Sequence, residues 1–379
     1  MDNTSNKKNR RSKVKKREKE KEMRAYVVRH GAYGDMLHCS HIPKLLKENG
    51  FDYVAFECNT KGEAILRNNP YIDDLIVFEM SHGIVSNQPQ SFLEKRWPYK
   101  AAEHNAILVN LQYSLEIGYI AMENMAEYYL STEERREKYG KLSYYEQMNS
   151  WLKRQLLPEG IKINIPSKVK ADLYFTMDEE RVVNSIYNRE YSDKFVIICN
   201  LSGSSRQKYF LDSEKIIGEF LNRHEDAVCI TVGDEDTRKH IDFVSDRVIN
   251  RAGKFDGIHQ YPFRQSMLMT KYADMAIGYE SGLMVASTAL GTPTVQLMTT
   301  CSVKNHGGDF KNDFSLQSPL ACSPCHKGPY EFIGCPKIKV LGQNYPACIK
   351  FDIDTVLQKM EEVYAARTKK MPDPALSTL

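Results

Sequence analysis

The sequence lacks any apolar run approaching the roughly 20 residues that a membrane-spanning helix requires. Its N-terminus is rich in basic residues, but no apolar segment follows them, so a secretory signal is not expected. Its 21 Gly and 15 Pro are too few for a collagen-like chain, and a hydrophobic content of 42% is too high for a wholly disordered one. These absences predict a soluble, cytoplasmic, globular protein that does not span a membrane.

A disulfide framework is not expected either, because the nine cysteines in 379 residues occur without an export signal. Cysteines in a reducing compartment more often hold a metal or act as thiols. A chain of this length exceeds one comfortable hydrophobic core, which predicts two domains of about 150 residues each.

Positive charge is concentrated at the N-terminus. Residues 1–24 contain eleven Lys and Arg against four Asp and Glu, a net charge of +7, whereas the remaining chain has a net charge of −4. A segment of this composition cannot bury apolar surface, so we predict that residues 1–23 form a disordered basic tail. The tail is suited to bind an anionic partner, either nucleic acid or a membrane surface, or it serves only to keep the chain soluble.

After the tail, short apolar runs alternate with segments of helical spacing, such as residues 36–48. This alternation is typical of parallel sheets covered by helices, and its restart after residues 176–193 predicts two facing doubly wound α/β domains. The predicted strands are residues 24–29, 53–58, 75–78, 106–110, 195–200, 227–232, 247–250, 274–279 and 293–297. The predicted divisions are the tail (1–23), a first domain (24–185), a second domain (186–352) and a C-terminal helix and tail (353–379), the helix being a candidate to pack back across the interface.

The first motif, RHGAYGD at residues 29–35, lies between the first strand and the first helix. Gly31 and Gly34 permit a tight turn, and the free N–H groups of the following helix suit an anion or a polar group. Asp35 would lie at the carboxyl end of the sheet, where ligands bind in such folds. It is either a catalytic carboxylate or a helix cap.

The second motif, NLSGSSRQK at residues 200–208, follows the first strand of the second half. Its hydroxyl groups, glycine and cations suit a phosphate cradle, although the spacing of a P-loop is absent. An ordinary polar loop is the alternative. The candidate phosphate ligands are Ser202, Ser204, Ser205 and Lys208.

The third motif covers residues 273–295, where a strand enters a helix directly through Glu280, Ser281 and Gly282. The unpaired N–H groups of that helix would stabilise a diphosphate, and the nearby acid could hold sugar hydroxyls. The alternative is an ordinary helix start without a ligand.

Together the three motifs resemble the signature of glycosyltransferase family 9, the ADP-heptose–lipopolysaccharide heptosyltransferase family. Residues 29–35 match R-x-G-x-x-G-D, residues 69–74 match an N-P-x-[IV]-D segment, Lys208 ends an S-x-x-x-K loop, and residues 273–295 match the family's most specific block with few changes. The resemblance covers most of residues 24–350.

The resemblance implies a GT-B architecture: a Rossmann-like acceptor domain facing a Rossmann-like nucleotide-sugar domain. It also implies inverting sugar transfer from a nucleoside diphosphate donor, an ADP-sugar being favoured, without a catalytic metal. On this basis Asp35 is the general base, the second motif holds the diphosphate, and the third motif binds the donor. Two positions depart from the family: Glu280 replaces the usual Asp, and Met284 and Val285 lie where a His commonly follows.

The acceptor is left open by the sequence. Lipopolysaccharide core is the family default, and a protein hydroxyl or a modified nucleobase would suit the basic tail equally well. Rival hypotheses are a catalytically inactive relative that acts as a binding module and a different GT-B enzyme such as an epimerase.

Four cysteines form the pattern C-x₂-C-x₉-C-x₁₂-C in a Pro- and Gly-rich stretch: Cys322, Cys325, Cys335 and Cys348. Four thiolates close a tetrahedral site for a structural Zn or Fe ion. A comparable cluster in some relatives resembles an iron-holding finger. The alternative is a set of free thiols, or a reactive pair formed by Cys322 and Cys325.

Overall fold

The computed structural model describes residues 22–78, 90–112, 131–203, 208–233, 245–252, 262–307, 310–326 and 345–367. Of residues 90–94 it describes the backbone alone. The predicted tail therefore lies almost wholly outside the described residues. Within them, no helix is long and apolar enough to cross a lipid bilayer.

The first domain is built on a sheet of four parallel strands in the order β3-β2-β1-β4. Its central strands are buried, because helices cover the sheet. The elements are β1 (Arg24–Val28), α1 (Tyr33–Cys39), α2 (Ile42–Glu48), β2 (Tyr53–Cys58), α3 (Thr60–Leu66), β3 (Asp74–Val77), α4 (Gln90–Glu103), β4 (Ile107–Asn110), α5 (Thr132–Tyr139) and α6 (Tyr144–Leu156).

The second domain is built on a sheet of six described strands, all parallel, in the order β10-β9-β8-β5-β6-β7. Strands β5 and β6 are buried along their whole length, as their apolar runs predict. The elements are α7 (Met177–Glu190), β5 (Phe195–Asn200), α8 (Ser213–Arg223), β6 (Ala227–Val232), β7 (Val248–Asn250), α9 (Phe263–Tyr272), β8 (Met275–Tyr279), α10 (Gly282–Leu290), β9 (Thr294–Met298), α11 (Val303–His306), β10 (Leu316–Gln317) and α12 (Ile353–Ala365).

Each predicted strand is present within one residue at either end, so the α/β architecture with two facing sheets is confirmed. The helix predicted over residues 36–48 is instead two helices, α1 and α2, separated at Ser40 and His41. Pro43 explains the break, because its ring has no N–H and would clash with the carbonyl of residue 39 in a continuous helix.

The C-terminal helix α12 does not cross the interface between the domains. Its apolar face, which includes Val356 and Leu357, is buried in the core of the second domain. The Tyr364 hydroxyl donates a 2.8 Å hydrogen bond to Asp226, at the turn before β6. The expectation that this helix packs back onto the first domain is therefore wrong.

Arg264, at the start of α9, ties the second domain to the first. Its guanidinium is largely buried and donates two hydrogen bonds to Glu179 (2.5 and 3.0 Å), one to the Tyr174 carbonyl (2.5 Å) and one to the Ala64 carbonyl of α3 (2.9 Å). The hydrogen bonds from Arg264 lower the pKa of Glu179 to about 2. The planar guanidinium thus joins α3, the segment before α7, and α9 in one contact.

Replacing Arg264 with Ala should lower the free energy of unfolding by roughly 2–3 kcal/mol, because three partly buried residues lose the donor to their acceptor atoms. A folded-state pKa of about 2 for Glu179 means that the ion pair stabilises the protein above the ordinary glutamate range and is lost as the pH falls towards 2. The difference between wild type and Arg264→Ala in urea unfolding should therefore shrink between about pH 5 and pH 2.

The matched control is Arg181→Ala. Arg181 is 45% exposed and pairs with Asp178 on α7, so its loss should cost less than about 1 kcal/mol. Equal effects of the two variants would contradict the role given to Arg264.

Candidate active site

Asp35 lies in the first turn of α1 and is fixed by two contacts. The backbone N–H of Ala32 donates to its carboxylate at 3.0 Å, and the guanidinium of Arg29 forms an ion pair with it at 3.1 Å. Arg29 is fully buried and also donates to the carbonyls of Leu111 (3.2 Å) and Gln112 (2.5 Å) after β4. Asp35 is therefore a helix cap, yet its side chain keeps 14% of its surface exposed at the carboxyl end of the sheet.

The first and third motifs meet across the interface between the domains. A Cβ atom added to Gly282 would lie 2.8 Å from the backbone nitrogen of Gly34 and 2.8 Å from the Cβ of Tyr33. Gly282 is the first residue of α10, and Tyr33 is the first residue of α1. The two helices thus approach each other end to end, which requires a residue without a side chain at position 282.

Gly31 is constrained from within its own loop. A Cβ atom there would lie 2.7 Å from the Oδ2 atom of Asp35. The glycine therefore allows Asp35 to fold back and cap the helix.

Glu280 is fully buried at the end of β8 and accepts four hydrogen bonds from two residues. Thr299 donates its backbone N–H (2.5 Å) and hydroxyl (2.8 Å), and Thr300 donates its backbone N–H (2.8 Å) and hydroxyl (2.7 Å). The next residue, Ser281, accepts a 2.8 Å hydrogen bond from the Asn200 side chain. Glu280 thus holds the loop that follows β9, and Ser281 links α10 to the end of β5.

Lys208 belongs to the second domain and lies at the end of the loop that follows β5. The loop between it and β5 closes on itself through a 3.1 Å hydrogen bond from Gly203 to the Lys208 carbonyl. Ser202 is buried in this loop, whereas Ser204 and Ser205 lie outside the described residues. Lys208 makes no ion pair with a carboxylate in the described part of the chain.

Three aromatic side chains from both domains pack together: His38 of α1, Tyr144 of α6 and His306 of α11. Their ring centroids are 5.0–5.5 Å apart. The Tyr144 hydroxyl also contacts the sulfur of Cys301 at 2.8 Å. Sequence reasoning did not single out either histidine; the only available signal was that His38 lies three residues after Asp35, on the same face of α1.

The buried groups of this cluster are held uncharged. Burial, followed by the nearby charge of Lys208, lowers the pKa of His306 to about 3. Burial also raises the pKa of Cys301 to about 12, which leaves a protonated thiol. Among the described residues, Lys208 therefore acts on two groups that carry no charge, His306 and Cys301.

The cysteine cluster is only partly described, because Cys335 lies outside the described residues. Cys322 and Cys325 are half-buried in one turn, and Arg136 of α5 donates to carbonyls in that turn, those of Ala321 (2.5 Å) and Pro324 (2.8 Å). Among the described residues, no three or more His, Cys, Asp or Glu side chains form a group that could hold a metal ion. The four-cysteine site stays a prediction.

The sequence matches no protein-family model and no curated protein. Its fold is that of glycosyltransferases. A family 9 glycosyltransferase from Veillonella parvula DSM 2008 is 14% identical with a TM-score of 0.64, covering 91% of this chain and 98% of that one. ADP-heptose lps heptosyltransferase II of E. coli is 11% identical with a TM-score of 0.59, covering 90% and 99%.

The iron-containing dodecameric glycosyltransferase TibC from enterotoxigenic E. coli is 13% identical with a TM-score of 0.55, covering 91% of this chain and 77% of that one. These similarities confirm the GT-B architecture. They also confirm, at the level of the fold, the resemblance to family 9 heptosyltransferases that the motifs indicate.

Replacing Gly282 with Ala should destabilise the closed arrangement by about 1–3 kcal/mol, because the new methyl group would overlap the backbone of α1. Gly34→Ala is the matched control, since its Cβ would have its nearest neighbour at an ordinary 3.7 Å. Both changes gain similar helix propensity, so the difference between their melting temperatures measures the steric conflict. Equal melting temperatures would show that the two helix ends are not in contact in solution.

Proposed function

We propose that the chain is an inverting glycosyltransferase that moves a sugar, heptose or a related one, from a nucleoside diphosphate donor to a hydroxyl acceptor. The observation that carries the proposal is the convergence of three groups on one cleft. The contact of Gly34 with Gly282 brings Asp35 close to the start of α10. Asn200 joins the loop that carries Lys208 to the same helix start, because its side chain donates to the Ser202 carbonyl and to the Ser281 hydroxyl. A carboxylate facing an anion site is the arrangement that sugar transfer needs.

In the proposed reaction the acceptor hydroxyl attacks the anomeric carbon of the donor. A bond forms between that carbon and the hydroxyl oxygen while the bond to the diphosphate oxygen breaks, and the configuration inverts. Asp35 accepts the hydroxyl proton as general base. The departing diphosphate takes the bonding electron pair, and Lys208 together with the N–H groups at the start of α10 stabilises its charge.

We assign the remaining donor contacts to the second and third motifs. Ser202, Ser204 and Ser205 would hold the diphosphate, and Ser281 and Gly282 would present the N-terminus of α10 to it. Because Glu280 is occupied by Thr299 and Thr300, it would act on the donor through the loop that it holds.

An ADP-sugar is the favoured donor. E. coli heptosyltransferase WaaC has been solved with ADP, and TibC has been solved with ADP-D-beta-D-heptose. Both share this fold, which supports the assignment of the nucleotide to the second domain. The acceptor is lipopolysaccharide core, a protein hydroxyl or a modified nucleobase in the cytoplasm, and the basic tail (residues 1–23) would increase its encounter rate with an anionic acceptor.

Asp35→Asn tests the proposed function directly. The amide keeps the size and the capping oxygen but cannot accept a proton, so turnover should fall by roughly 10²–10⁴-fold. Donor affinity should be nearly unchanged. The measurement is nucleotide release from the best of a series of ADP-, GDP- and UDP-sugars, alongside calorimetric donor binding.

The control is Asp178→Asn, since Asp178 is 89% exposed on α7 and should leave turnover unchanged. Near wild-type turnover in Asp35→Asn would contradict the role of Asp35. Donor binding without turnover in the wild-type protein would favour a binding module instead.

We also propose that Cys322, Cys325, Cys335 and Cys348 hold one structural Zn or Fe ion. The chemistry of the donor set supports it, because soft thiolates favour both metals and four of them leave no open position for catalysis. The turn that carries the first two cysteines is fastened to the first domain by Arg136, so an ion there would stabilise the contact between the domains.

Metal analysis of the full chain, purified without chelator, should find about one equivalent of Zn or Fe. Cys335→Ser should abolish it and lower the melting temperature, whereas Cys39→Ser, at a buried cysteine of the first domain, should retain the metal. Less than about a tenth of an equivalent in the wild-type protein would end the proposal.

A further inference from the structure

Asn305, in the short helix α11, is fully buried and forms hydrogen bonds across the interface between the domains. Its Nδ2 atom donates to the carbonyls of Tyr139 and Leu142, each at 2.7 Å. Tyr139 ends α5 and Leu142 lies in the turn before α6, so both acceptors belong to the first domain. Its Oδ1 atom accepts from the backbone N–H of Ser302 at 2.7 Å. The whole amide is therefore used, and both of its N–H groups cross the interface.

Neighbouring residues fasten the same two segments to each other. The Ser302 hydroxyl donates to the Gly140 carbonyl at 2.9 Å, in the turn between α5 and α6. The Tyr144 hydroxyl at the start of α6 contacts the Cys301 sulfur at 2.8 Å. We call these contacts between residues 139–144 and residues 301–305 the interdomain clasp.

On the side of the second domain, the clasp adjoins the loop that Glu280 holds. Thr299 and Thr300 donate four hydrogen bonds to the Glu280 carboxylate, and residues 301–305 follow them directly in the chain. The loop after β9 is therefore attached to β8 through Glu280 and to the first domain through Asn305.

On the side of the first domain, α6 connects the clasp to α1. The rings of Tyr144 and Tyr145 each lie 5.0 Å from the ring of His38, on the helix that carries Asp35. Further along α6, the Oδ1 atom of Asn149 hydrogen-bonds to the His41 ring just after α1, at 2.7 Å. Contacts of stated length thus join the loop after β9 to the helix of the proposed general base.

We propose that Asn305 is a positioning residue for glycosyl transfer, which holds the second domain at a fixed distance from α1 and thereby aligns the bound donor with Asp35. The inference rests on the proposed function, because it concerns the relative placement of groups which that function uses. The contact of Gly34 with Gly282 limits how closely the two domains approach, whereas the clasp holds them together with directional bonds. Alignment matters because a misplacement of about 1 Å can lower a reaction rate by roughly 100-fold.

Asn312 provides a matched control for Asn305. Its Nδ2 atom also donates to two carbonyls, those of Thr288 (3.0 Å) and Thr292 (2.7 Å), but both lie within the second domain. Replacing either asparagine with Ala removes two bonds between an amide and carbonyl groups. If these bonds acted only through stability, the two variants would behave alike.

The first measurement separates turnover from donor binding. Nucleotide release from the best of a series of ADP-, GDP- and UDP-sugars is compared in wild type, Asn305→Ala and Asn312→Ala, with calorimetric binding of the same sugar nucleotide. We expect kcat of Asn305→Ala to fall by roughly tenfold or more. Its donor Kd should stay within about twofold of wild type, because Glu280 still holds the loop. Asn312→Ala should retain both values.

The second measurement does not depend on activity. Hydrogen–deuterium exchange of the full chain without ligand should be faster over residues 132–147 in Asn305→Ala than in wild type, because α5 and α6 lose bonds to the second domain. Exchange over β5 should be unchanged, and Asn312→Ala should exchange as wild type does over residues 132–147. Should Asn305→Ala fail to fold, Ser302→Ala removes the bond to the Gly140 carbonyl at a half-buried position and should change kcat and exchange in the same direction by a smaller amount.

The outcomes distinguish this inference from the proposed function. Unchanged exchange over residues 132–147 in folded Asn305→Ala would show that the clasp does not join the domains in solution. Faster exchange with wild-type kcat would overturn the positioning role alone, and so would equal losses of kcat in Asn305→Ala and Asn312→Ala. A loss of donor affinity as large as the loss of turnover would also overturn it. Absence of turnover by the wild type with every donor would overturn the proposed function, and the role of Asn305 in the reaction with it.

Discussion

The end-to-end contact of α1 with α10 is the constraint on which the rest of the cleft depends. Asp35 is positioned by the first domain, through Arg29, whereas Lys208 and Glu280 are positioned by the second. These groups act on one substrate only if the two sheets stand at the separation that the contact between Gly34 and Gly282 fixes. A side chain at position 282 would separate them, because it would overlap the backbone of α1 rather than a flexible side chain.

Three carboxylates of the two domains are paired with donors of the protein itself. Asp35 is paired with Arg29, Glu179 with Arg264, and Glu280 with four donors of Thr299 and Thr300. Each of these carboxylates is satisfied by the protein itself, so each holds its segment in one arrangement. Lys208, by contrast, makes no ion pair with a carboxylate in the described part of the chain.

The sequence predicts the architecture well because its strands are short, apolar and buried, so that composition alone indicates them. It also indicates Asp35 and Glu280, because each belongs to a contiguous motif at the end of a strand. The break between α1 and α2 could also be predicted, since Pro43 marks it. The place of His306 in the aromatic cluster could not be predicted, because α11 is a four-residue helix with no motif around it.

Contacts between segments that are distant in the chain could not be predicted from the sequence. The pairing of Arg264 with the carbonyls of Ala64 and Tyr174 joins residues 200 and 90 positions apart, and no local pattern encodes it. The same holds for α12, whose amphipathic pattern fits either domain. Its place against the second sheet is decided by contacts such as that of Tyr364 with Asp226.

The length of the Glu280 side chain determines which groups its carboxylate holds. A shorter carboxylate would end nearer the strand, whereas the longer side chain reaches the Thr299 and Thr300 N–H groups and hydroxyls at 2.5–2.8 Å. Both carboxylate oxygens are engaged by these bonds, so a sugar hydroxyl would have to compete with two backbone donors for them. Under the proposed function, selection among donor sugars therefore lies in the shape of the loop that Glu280 holds rather than in the carboxylate itself. This loop leads directly to Cys301 and α11.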